Sequence, residues 1–68
     1  MNVNVSINLH WLSRLLRAQN LVVSHADLAV IKREVELCLV INLATGHEIS
    51  IGHAISEVLF LLGYMVDE

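Results

Sequence analysis

VELCLVINLATGHEISI, residues 35–51, can be read in two ways, and the fold turns on the choice. As a strand, Val35, Leu37, Leu39, Ile41 and Leu43 share one side at period two, and "ATGHE" (44–48) would turn a hairpin into "ISI" (49–51). As a helix, the segment runs to Ala44, stops with Gly46 as the left-handed residue past its end, and restarts after Ser50 as an N-cap. Val, Ile and Cys favour the strand, whereas Leu, Glu and Ala favour the helix. The stretch is apolar on every side, so periodicity does not arbitrate. The paired stop and start signals favour the helix. A hairpin at about residues 35–52, giving an α+β fold, is the alternative.

The flanking segments are plainer. In "SHADLAVIKREVE" (24–36), Ser24 with Asp27 three residues later resembles a capping box, with Asp in place of the usual Glu or Gln. Leu28, Ile31 and Val35 repeat at helical spacing, while Lys32, Arg33 and Glu36 mark the wet side. At the start of the chain Val3, Val5, Ile7 and Leu9 alternate with Asn2, Asn4, Ser6 and Asn8, the pattern of a half-buried strand. The period turns helical from His10, with Trp11, Leu12, Leu15 and Leu16 on one face and His10, Ser13, Arg14 and Arg17 on the other. Asn8 or His10 opens this helix and Asn20 ends it. The last segment, "GHAISEVLFLLGYMV" (52–66), is helical under either reading and apolar nearly all round. The expected fold is therefore mainly α: an N-terminal β-strand followed by three helices, in a single small domain over residues 1–68.

Size and composition point to association. A chain of 68 residues buries only about 60% of the surface it exposes when unfolded. Yet 56% of its residues are hydrophobic and its mean hydropathy is +0.66. Cys38 is the only cysteine, which rules out an internal disulfide as the remedy. An intertwined or packed homodimer is expected, with Trp11, Leu15, Val58, Leu59, Phe60, Leu62, Tyr64 and Met65 at the partner or dimer interface. No apolar run approaches the ~20 residues of a membrane span. With no signal-peptide pattern and one lone cysteine, the expected location is the cytoplasm.

Charge divides along the chain. Residues 1–33 hold all four bases and one acid, a net of +3, and residues 34–68 hold six acids and no base, a net of −6. Such a split suits two halves that attract each other in a dimer, or a basic face for nucleic acid.

The chain carries few residues in chemically reactive patterns. The four histidines, His10, His25, His47 and His53, have no spacing that makes a metal site. Cys38 has no local signature of a nucleophile, Glu57 lies one turn after His53 as a surface pair, and three scattered glycines build no phosphate loop. No cofactor, metal, small-molecule substrate or enzymatic activity is expected.

Residues 2–38 carry one further pattern: a strand with polar outward residues, a helix, then the Ser-capped helix "SHADLAVIKREV". This order resembles the ribbon-helix-helix repressors. The resemblance implies a dimeric DNA-binding repressor or antitoxin whose paired strands enter the major groove. Asn2, Asn4 and Ser6 would then face the bases, with Arg14 and Arg17 as the nearest cations. No Arg or Lys stands on the outward strand face, however, and phosphate neutralisation dominates DNA affinity. The leading expectation is accordingly a small non-enzymatic regulator (an adaptor, inhibitor or anti-factor) that binds another protein through an apolar helical surface. The DNA-binding dimer is the alternative.

Overall fold

The computed structural model describes residues 5–64. Among the described residues three helices follow one another: α1 (Leu9–Ala18), α2 (His25–Ala44) and α3 (Ile51–Leu61). The ambiguous stretch is helix, turn, helix, so the hairpin alternative falls.

Each helix begins and ends by local chemistry. Asn8, Ser24 and Ser50 hold extended backbone as N-caps. Their side-chain oxygens accept from the amides of Trp11 at 2.9 Å, Asp27 at 3.1 Å and His53 at 3.1 Å. These bonds satisfy amides that have no partner inside the helix. All three C-termini close in the same double-bonded motif. The amides of Asn20 and Leu21 donate to the carbonyls of Arg17 and Leu16, those of Gly46 and His47 to Leu43 and Asn42, and those of Gly63 and Tyr64 to Phe60 and Leu59. The motif needs a left-handed residue at its turn. Asn20 (φ 62°), Gly46 (φ 81°) and Gly63 (φ 86°) supply it.

Two expectations are corrected here. The N-terminal strand, expected over residues 2–9, is not formed among the described residues: 5–8 have no regular structure, and Leu9 already belongs to α1. The alternation itself persists, with Ile7 buried, Ser6 and Asn8 exposed, and Val5 packed against the core. What is lacking is a ladder, because the Ile7 amide is spent on the Glu36 carboxylate of α2 at 2.8 Å. Asn2 and Asn4 lie outside the described residues. The last helix, expected to reach Val66, stops at Leu61, since Gly63 turns the chain before Tyr64.

Glu36 and Cys38 fix the arrangement around α2. Glu36 holds the segment entering α1, while the Cys38 thiol lies 3.9 Å from Glu57 of α3. Residues two apart on a helix are separated by about 200°, so α1's entry and α3 lie on different flanks of α2. Cys38 meets Glu57, and Glu34 lines the same groove as Leu61, so α2 and α3 run antiparallel. Between the helices sits one core: Ile7, Leu12 and Leu16; Leu28, Ile31, Val35 and Leu39; Ala54, Ile55, Val58 and Leu59. Among the described residues no polar or charged side chain is buried, and no helix is long and apolar enough to cross a membrane.

Candidate protein-docking surface

The core uses one stripe of α2, Leu28, Ile31, Val35 and Leu39. A second stripe, Val30, Leu37 and Ile41, recurs at helical spacing on the far side and faces outward. Leu37 is 44% exposed and Ile41 59%. Beside them, α3 presents Leu61, 80% exposed. Leu37, Ile41 and Leu61 wall a groove of about 320 Å³, with Cys38, Asn42 and Val58 in its lining and the carboxylates of Glu34 and Glu57 beside them. Both carboxylates are exposed. Neither takes part in an ion pair among the described residues, where the pair found is Lys32–Glu36 at 2.9 Å.

Cys38 is the one potentially reactive group in this groove. Burial, then the charge and hydrogen bond of the neighbouring Glu57 carboxylate, push its thiol pKa up. Asn42 donates to the Cys38 carbonyl at 2.7 Å and reaches its sulfur at 3.6 Å. A thiol held protonated beside a carboxylate is poorly suited to nucleophilic work. Elsewhere, His47 pairs with the Thr45 hydroxyl at 2.8 Å in the α2–α3 turn, while His10, His25 and His53 are exposed. Glu57 contacts Cys38 and is not bonded to His53. Among the described residues no group of three His, Cys, Asp or Glu side chains could hold a metal ion.

A second exposed face lies on α1. His10, Trp11, Arg14, Leu15 and Ala18, with Asn8, line a shallow depression of about 470 Å³. Trp11 is 42% exposed and Leu15 is half-buried; Arg14, expected on the face opposite them, lines this depression with them, while Arg17 is exposed on the other side beside His25 and Leu28. Ser6 is exposed beside this helix's start.

The residues expected at an interface divide. Trp11, Leu15, Phe60 and Leu62 are at least partly open to contact, and Tyr64 is half-buried against the core. Val58 and Leu59 are taken up by the chain's own core, because Leu28, Ile31, Val35 and Leu39 of α2 lie against their side of α3. Met65 lies outside the described residues. Leu37, Ile41 and Leu61 were not among the residues expected at an interface. For Leu37 and Ile41 the signal was a second apolar stripe at helical spacing, masked because both also fitted a strand; for Leu61 it was hidden in a helix apolar nearly all round. Compared with known protein families, curated proteins and solved structures, the chain finds no match.

Proposed function

We propose that this chain is a small non-enzymatic regulator that works by docking a protein segment in the acidic groove between α2 and α3. The observation that carries the reading is the second apolar stripe. Leu37, Ile41 and Leu61 spend their side chains on solvent although the chain already has a closed core. The groove's 320 Å³ is at the low end of the ~300–1,000 Å³ of small-molecule cavities. It is lined by apolar carbon with carboxylates beside it, which suits a side chain more than a cofactor.

Magnitudes constrain the occupant. Covering Leu37, Ile41 and Leu61, which are 44%, 59% and 80% exposed, yields about 1–2 kcal/mol each. A micromolar complex needs about 8 kcal/mol after the cost of association has been met. The groove's own residues are therefore insufficient, and the occupant must bring a large apolar anchor and opposite charge. An amphipathic helix with a basic flank meets both needs.

The test uses a labelled amphipathic peptide of leucine and lysine as probe, titrated with the chain and followed by fluorescence anisotropy. Saturable binding that is lost in the Ile41→Lys, Leu61→Lys double variant supports the proposal. Equal binding by both proteins, or none by the unaltered chain, overturns it.

A further inference from the structure

We infer that the occupant of the α2–α3 groove is α1 of a second copy of this chain, an inference that rests on the docking reading above. The chain carries both halves of the contact on different surfaces. The groove lining holds Glu34 and Glu57, and no base occurs from residue 34 onward. Helix α1 holds no acid; its Trp11 face carries Arg14, while Arg17 lies round the helix beside His25 and adds positive charge to the same end of the molecule.

Charge decides among the possible pairings. Groove against groove would set Glu34 and Glu57 beside their own copies, and α1 against α1 would do the same with the arginines. Only the unlike pairing matches potentials across the contact. Shape agrees with charge. Trp11, Arg14 with Leu15, and Ala18 stand at the i, i+3/i+4, i+7 spacing by which a helix fills a groove. They span about 10 Å of helix, against about 12 Å between Glu34 and Asn42 along the groove. Trp11, the only tryptophan in the chain, supplies the large apolar anchor.

A chain cannot satisfy its own groove. Leu12 and Leu16 fasten α1 in the core, and the Ile7–Glu36 bond ties its entry to another flank of α2. The contact is therefore made between copies and joins two different surfaces.

Two exposed charge-reversal variants test this. One carries Glu34→Lys with Glu57→Lys, the other Arg14→Glu with Arg17→Glu; circular dichroism checks that each folds. Sedimentation equilibrium reads mass against concentration at low and high salt. The unaltered chain should associate, less so at high salt. Each variant alone should remain monomeric, because its two faces then carry like charge. An equimolar mixture should associate again, since each variant's α1 matches the other's groove. If a reversed variant fails to fold, Trp11→Ala replaces it and should weaken association at least tenfold.

A monomeric unaltered chain, unaltered association in either variant, or a mixture that stays monomeric overturns the inference. Should the unaltered chain be monomeric yet still bind the leucine–lysine peptide, this inference fails and the docking reading survives. Should it do neither, both fail.

Discussion

Glu36 shows how one exposed-edge side chain can organise a terminus. Its carboxylate accepts from the Lys32 ammonium at 2.9 Å and from the Ile7 amide at 2.8 Å. These two bonds, the lysine's first, hold its pKa below the ordinary 4.5 against the opposing effect of partial burial. A carboxylate whose folded pKa is lowered contributes stability that is complete above its unfolded value. That contribution is lost as pH falls through the folded one. Replacing Glu36 with Ala should therefore cost about 1 kcal/mol at neutral pH. The gap between the two proteins should close as the solution is acidified below the ordinary carboxylate range. Urea unfolding at a series of pH values measures this; a gap that persists into strong acid would contradict the assignment. Cys38 gives a second check. With Glu57→Gln the neighbouring charge is gone, the thiol pKa drops, and alkylation by iodoacetamide near neutral pH should speed up. An unchanged rate would remove Glu57 from the account.

The three helices owe their bounds to caps that act within a few residues. The twenty-residue α2 shows this best, running through a segment with strong strand-formers because Ser24 starts it and Gly46 stops it. Two glycines allow a contrast. A Cβ added at Gly46 or at Gly52 would meet nothing within 4 Å, so neither substitution has a steric consequence. Gly46 sits at φ +81°, which an L side chain tolerates poorly, and Gly46→Ala should destabilise by about 1 kcal/mol. Gly52 lies in the first turn of α3, and Gly52→Ala should stabilise by about 0.5–1 kcal/mol. Thermal melts of both variants check the pair, and shifts of the same sign would show that the helix ends are not set in this way.

Packing all three helices together leaves the chain with an inside and an outside that its hydropathy does not distinguish. Leu59 is 0% exposed and Leu61 80%, two residues apart on α3. A domain of this size holds only about 3–5 kcal/mol of core stability. Losing a buried leucine costs about 2–5 kcal/mol before the charge is counted. Leu59→Asp should consequently unfold the protein, seen as loss of helical circular dichroism. Leu61→Asp should leave the melt within about 0.5 kcal/mol while removing peptide binding at the groove. A folded Leu59→Asp, or a collapsed Leu61→Asp, would place the core elsewhere.

Helix starts and stops were legible in the residues because capping is local. Asn8, Ser24 and Ser50 open helices, and Asn20 and Gly46 close them, where their chemistry says they should. Gly63 carried the same stop signal but was overrun by an apolar pattern that continues past it. Among the described residues the N-terminal strand is absent for a different reason. Alternation requires one face to be buried, but it does not supply the second backbone that a ladder needs, and here the Ile7 amide goes to Glu36. The candidate site was the least legible part. Leu37, Leu39, Ile41, Leu59 and Leu61 are equally apolar as letters, and hydrophobic burial has no preferred direction. Only the placement of α3 along one flank of α2 sends Leu39 and Leu59 into the core and leaves Leu37, Ile41 and Leu61 around an open groove.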